Sequence, residues 1–153
     1  MLKILFFVLV TALPAIPLGS ADADTPGRHP AYLHALTETR QARWLLERRA
    51  GDVAVSVHLA AAIGSIDEAV HELTRAAYRD GKDFAETPPP EIGNFNHPGR
   101  LHKAAELLRQ ARSNVAREED NPEDQHLQHR ALEHLDEALR QTDAAIWDVE
   151  HFR

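Results

Sequence analysis

The 153-residue sequence contains no cysteine. That excludes disulfides, thiolate zinc sites, covalent c-type haem and a lipidated N-terminal cysteine. The single methionine is Met1, so no thioether is available further along the chain. Aromatic residues make up only 6% of the chain, and any core must therefore be built from aliphatic side chains and alanine. Basic residues are also in deficit, 17 Lys and Arg against 24 Asp and Glu, for a formal net charge of −7. Phosphate neutralisation needs a basic face, so this balance excludes nucleic acid as a partner. There is no Gly-rich phosphate loop, and Ser56, Ser65 and Ser113 have no nucleophile motif around them. The expectation is a protein that is not an enzyme and carries no cofactor.

Hydrophobic residues at 43% and charged residues at 27% describe an ordinary globular chain of one domain. Residues 1–23 read as a secretory signal peptide. Met1-Leu2-Lys3 is a short positive start, Ile4 to Leu13 is an apolar run, and Ala21-Asp22-Ala23 is a cleavage site. The run is too short to span a bilayer comfortably, and Pro14 and Pro17 interrupt its continuation. The mature domain, 24–153, is then expected in the periplasm or secreted. The segments that remain are amphipathic with mixed outer charge, so no membrane insertion is expected after cleavage.

The organising feature is a duplication. His29-Pro-Ala-Tyr-Leu-His34 returns as His97-Pro-Gly-Arg-Leu-His102, offset by 68 residues. Arg40-Gln-Ala-Arg43 returns as Arg109-Gln-Ala-Arg112, and Ile66-Asp-Glu-Ala-Val70 as Leu135-Asp-Glu-Ala-Leu139, both offset by 69. One helical hairpin is written twice, over about 29–80 and 97–152, joined by a linker at 81–96. Apolar residues recur at helical spacing in four stretches. Tyr32, Ala35, Leu36, Thr39, Ala42 and Leu46 line a helix from about Pro30 to Arg49. Val55, Leu59, Ala62, Ile63, Ile66, Ala69, Val70, Leu73 and Ala77 line one from about Val53 to Arg79. Leu101, Ala104, Ala105, Leu108, Ala111 and Val115 line a third from Pro98 to about Glu118. Leu127, Ala131, Leu135, Ala138, Leu139, Thr142, Ala145, Ile146 and Val149 line a fourth from about Glu123 to Glu150. Four such helices predict an all-α, antiparallel four-helix bundle built from two duplicated hairpins. The linker holds Pro88-Pro-Pro90, which forbids helix and favours polyproline II. Its Phe84, Ile92 and Phe95 predict that it packs down. The duplication further predicts that the first and third helices point the same way, gathering both His-Pro starts and the linker at one end of the bundle.

Several residues are candidates for more than packing. Arg43 and Arg112 are repeat equivalents near the edges of their apolar stripes, with Arg40 and Arg109 further out on the flanks. Asp67 and Asp136 are equivalents on the other helix of each hairpin. A guanidinium at a core boundary has to be paired or reach water. The six residues predict structural ion pairs between helices, with an anion site inside the bundle as the alternative. Ten histidines are present. His34 and His102 point about 130–140° away from the core stripes. With Arg100, Lys82 and Asp83 and two helix N-termini they form a candidate ligand site at the linker end, for a small anion or metal. The alternative is that they pack against the linker. Glu68-Ala-Val-His71 and Glu123-Asp-Gln-His126 match a di-metal bundle signature, but both point outward, and His126, His129 and Glu133 make a poor outer-face set, so no metal centre is assigned.

The run His29-Pro-Ala-Tyr-Leu-His-Ala-Leu-Thr-Glu-Thr-Arg-Gln-Ala-Arg-Trp-Leu-Leu46, with Asp80-Gly-Lys-Asp83, Gly99-Arg-Leu-His-Lys-Ala104 and Glu118-Glu-Asp-Asn-Pro122, resembles a group of small secreted bacterial proteins of unknown function. The resemblance covers essentially the whole mature chain. It implies secretion and a helical fold, with no activity or cofactor attached. The functional expectation is a periplasmic or secreted binding or interaction module whose partner is an unknown protein or small ligand, the alternative being anion or metal binding at the histidine-bearing end. Oligomeric state is not encoded in any of these patterns.

Overall fold

A computed structural model describes residues 30–47, 57–79, 96–118 and 125–151. Residues 1–23, the turn around Gly51 and the linker with Lys82, Asp83, Phe84 and the triple proline lie outside the described residues. Four helices follow in order: α1, Pro30–Glu47; α2, Val57–Arg79; α3, His97–Arg117; and α4, Gln125–His151. No strand occurs among the described residues.

Each helix buries the stripe its spacing implies. Tyr32, Ala35, Leu36, Ala42 and Leu46 of α1 are buried, as are Leu59, Ala62, Ile66, Ala69 and Leu73 of α2. Leu101, Ala104, Ala105, Leu108, Ala111 and Val115 of α3 meet Leu127, Ala131, Leu135, Ala138, Ala145 and Ile146 of α4 in the same cluster. Alanine at so many of these positions lets helix axes approach toward the short end of the usual 8–10 Å range. Each buried leucine or isoleucine contributes about 1.5–3 kcal/mol of hydrophobic stabilisation. Thr39 and Thr142 are fully buried too, and each hydroxyl donates to the carbonyl one turn back, Ala35 O at 2.6 Å and Ala138 O at 2.8 Å. That removes the cost of an unsatisfied buried hydroxyl.

The helices form a square in which α1 packs on α2 and α3, and α4 packs on α2 and α3. Side-chain bonds fix the directions. Ala31 N, at the start of α1, donates to Glu118 Oε1 beyond the end of α3, and Asn114 meets Glu38 one step further in. Helices α1 and α3 are therefore antiparallel. Arg130 with Glu72, and His58 with Gln141, set α2 antiparallel to α4 in the same way. Every neighbouring pair is antiparallel, while the diagonal pairs, α1 with α4 and α2 with α3, run parallel.

This overturns the expectation that both His-Pro starts share one end. Duplication requires only that a rotation carry one hairpin onto the other. Here the pseudo-twofold axis lies across the helices rather than along them, so α1 and α3 begin at opposite ends. Arg79 and Asn96 are likewise at opposite ends, and the sixteen intervening residues must cover the bundle's length. Sixteen residues at an extended rise of about 3.1 Å each could span about 50 Å, against about 35 Å for the 23 residues of α2 at 1.5 Å each. This is the single-crossover connectivity known for four-helix bundles.

Asn96 is the N-cap of α3, with Oδ1 accepting from Gly99 N at 3.0 Å, and His97 follows it. The missing N–H of Pro98 in the first turn leaves no donor unsatisfied. At the other end Gln128 of α4 donates to Val115 O of α3 at 3.0 Å and to the carbonyl of its C-cap, Glu118 O, at 2.9 Å.

Burial predicts a sharp contrast within α2. Ile66→Ala, in the centre of the core, should cost about 2–5 kcal/mol. Asp67→Ala, the next residue, removes an exposed ion pair and should cost less than about 1 kcal/mol. Urea titrations of the two variants give both values directly.

Candidate functional site

Arg43 Nε donates to Asp67 Oδ1 at 2.5 Å, and Arg112 Nε donates to Asp136 Oδ1. Both bonds join residues 24 apart within one hairpin. In each case the aspartate beside it holds the guanidinium above its usual range. Arg109 pairs instead with Asp143, at 2.9 Å. Arg40 occupies the equivalent place in the first hairpin, but the position matching Asp143 there is Thr74. The clamps are exposed, so they align the two helices of a hairpin more than they stabilise the fold.

The two histidines of the five-residue ligand site do not come together. His34 lies near the start of α1, and the transverse axis sends His102 to the opposite end of the bundle. His102 Nε2 stands 3.1 Å from Glu150 Oε1 near the end of α4. Arg100 is buried two residues before it, while Lys82 and Asp83 are outside the described residues. Among the described residues no group of three or more His, Asp or Glu could hold a metal ion. Glu68, His71, His126, His129 and Glu133 are all exposed, and His129 pairs with Glu133 at 3.2 Å.

Two polar pairs between the hairpins escaped the helical wheel. Glu72 is only 7% exposed, and its carboxylate accepts from Arg130 Nε at 3.0 Å and Nη2 at 2.9 Å. The guanidinium holds Glu72 below the usual carboxylate range, against the opposing effect of burial. The signal was present in the spacing of Ala69, Glu72, Leu73 and Ala76, which puts Glu72 inside the apolar stripe toward α4. On the other seam, Asn114 is 9% exposed and donates to Glu38 Oε2 at 2.7 Å. Arg117 Nη2 in turn donates to Asn114 Oδ1. Burial raises the Glu38 carboxyl above its ordinary value, and the Asn114 bond and the charges of His34 and Arg117 offset this only in part.

The surface carries a third feature. Tyr78 is 77% exposed and Trp147 is 52% exposed. They are 69 residues apart and so occupy one position in the two hairpins. His151 stacks on Trp147 with ring centroids 4.5 Å apart and planes 18° from parallel, and its Nδ1 reaches Trp147 O at 2.9 Å. Aligning the two repeats past their core would have revealed this pair.

No family model matches the sequence, and no curated protein or solved structure matches it either. No helix among the described residues is long and apolar enough to cross a membrane.

Two outcomes follow from this geometry. Because the chain has no cysteine, spin labels can be placed cleanly at His34→Cys and His102→Cys. Their separation along the bundle axis should be about 20 Å or more, from the helical rise alone. A short distance in pulsed dipolar spectroscopy would restore the shared site. The second outcome concerns pH. With its folded pKa raised, Glu38 favours the folded chain most below the ordinary carboxyl value of 4.5, and that contribution is lost as pH rises through the folded pKa. Glu72 has the opposite sign, its contribution being present above 4.5 and lost as pH falls through the lowered value. In urea titrations, stability relative to wild type should therefore shift in opposite directions with pH for Glu38→Gln and Glu72→Gln.

Proposed function

We propose that the mature chain is a periplasmic or secreted, non-enzymatic helical bundle that binds a partner through its surface, with Tyr78 and Trp147 as anchors. The observation that carries this reading is the paired exposure of two large aromatic side chains at equivalent places in the two hairpins. Aromatic residues are scarce in this chain. An exposed tyrosine or tryptophan gives folding little, whereas these residue types dominate the energetics of binding surfaces. The His151 ring holds Trp147 in one orientation, which lowers the entropy lost on docking. Extracytoplasmic placement is supported by the Lys3, apolar-run and Ala21-Asp-Ala23 pattern of the first 23 residues.

The reading has two tests. Mass spectrometry of the protein recovered from the host periplasm or medium should show an N-terminus at Asp24; a chain retained in the cytoplasm with Met1 intact would overturn the placement. For binding, the tagged mature chain is cross-linked in its native host beside Tyr78→Ser/Trp147→Ser. Substitutions at exposed positions move stability by about 0.5 kcal/mol or less, so an unchanged melting temperature with loss of the cross-linked partner is the expected result. Full retention of every cross-link by the double variant would remove the two aromatics from the function.

A further inference from the structure

The two hairpins share their motifs and their buried stripes, so a chain of this kind faces a choice. Hairpin 1 can dock on hairpin 2, or each can dock on its own kind in another molecule. The core does not discriminate strongly between these arrangements. The register that joins Glu38 to Asn114 brings Ala42 level with its own repeat equivalent Ala111, and that joining Glu72 to Arg130 brings Ile66 level with Leu135. At the pseudo-twofold axis like therefore meets like.

Away from the axis the copies differ, and they differ in a complementary way. The repeat equivalents of Glu38 and Asn114 are Leu107 and Leu45, both buried. One end of the α1–α3 seam is thus polar against polar, and the other has leucine in both equivalent places. Docking hairpin 1 on a second hairpin 1 would set Glu38 against Leu45 twice. Docking hairpin 2 on a second hairpin 2 would set Leu107 against Asn114 twice. Either arrangement strips a polar group of its partner inside the seam and leaves it desolvated and unsatisfied. The α2–α4 seam repeats the logic. Arg130 has Ala61 as its equivalent, so two first hairpins would each lose the guanidinium opposite Glu72 and set that carboxylate beside Ala61 and His58, the residue that meets the equivalent Gln141 here. By contrast, the Arg43–Asp67 and Arg112–Asp136 clamps lie within hairpins and keep the repeat symmetry.

We infer that Glu38–Asn114 and Glu72–Arg130 form a pairing code that admits only unlike hairpins to the interface. The Arg43–Asp67 clamp within hairpin 1 has its copy in Arg112–Asp136, while neither of these two bonds between hairpins has a copy. Glu38 is tolerated half-buried, with a proton affinity raised by that burial, because an apolar pair there would make the seam indifferent to its partner.

The test uses the full mature chain and the absence of native cysteine. Ala42→Cys places one thiol per molecule at the axis. It faces its own copy only when two first hairpins meet, whereas exchange of unlike hairpins between chains leaves it facing Ala111. In the otherwise unchanged sequence, oxidative refolding should give little covalent dimer. Adding Glu38→Leu makes a pair of first hairpins apolar along this seam, and covalent dimer should rise by about tenfold or more, because both polar mismatches of that pair are removed. Adding Asn114→Leu, Glu72→Gln and Arg130→Ala as well, which copies each position from its repeat equivalent, should raise it further. Ala42→Cys/Ala111→Cys in the unchanged sequence should close a disulfide within one molecule, and this checks the register independently of the code. Equal dimer yields with and without Glu38→Leu would overturn the inference. So would failure of the paired thiols to close within the monomer, or a four-substitution chain that keeps its helical signal and stays uncross-linked.

Discussion

The structure depends on how α1 lies across α3. These two helices belong to different hairpins, and they meet along a seam in which Ala42 and Ala111 stand level with each other. Alanine there leaves room for close approach but supplies little side chain to set direction. Direction is set at the ends. The Glu118 carboxylate accepts from Ala31 N at 2.6 Å, placing negative charge at the positive N-terminus of α1. Asn114 holds Glu38 a short way along. Those contacts make α1 antiparallel to α3, which in turn forces α2 against α4, makes every neighbouring pair antiparallel and separates the two ends of the crossover by the length of the bundle.

The same arrangement dissolves one site and exposes another kind of surface. With a transverse axis, His34 and His102 are equivalent but distant, and each has a local carboxylate neighbour, Glu38 or Glu150. Equivalence in sequence gives proximity only for residues near the axis. Tyr78 and Trp147 lie far from it and therefore stand at opposite ends, so a partner engaging both would have to run the length of the bundle. One engaging a single aromatic would find two similar places with different surroundings, since Trp147 carries a stacked His151 and the chain ahead of Tyr78 offers Arg75.

Charge is used in three distinct ways. Exposed pairs between the two helices of one hairpin include Arg43–Asp67, which is duplicated as Arg112–Asp136, and Arg109–Asp143, which is not. Half-buried and buried pairs such as Glu38–Asn114 and Glu72–Arg130 sit between hairpins and are unique. A third set, including Arg140 with Glu137 and His129 with Glu133, lies along single helices and supports them locally. Burial separates these classes. Solvated pairs lose little when a partner is changed, whereas a desolvated carboxylate opposite alanine or leucine is strongly unfavourable.

Much of this was determined by the sequence alone. The periods of Tyr32, Ala35, Leu36, Thr39, Ala42 and Leu46, and of their counterparts in the other three helices, identify which faces are buried, because a helix has a fixed 100° step and water excludes apolar stripes regardless of neighbours. The offset of 69 identifies two equivalent hairpins, and the boundary arginines identify the Arg43–Asp67 and Arg112–Asp136 bonds. What only the tertiary structure decided is the direction of the symmetry axis, and with it which residues share an end. Periodicity describes one helix at a time and is unchanged if a neighbour is reversed. The polar groups that respond to that reversal, Glu38, Glu72, Asn114 and Arg130, each bond to a partner in the other hairpin, more than 50 residues away in every case.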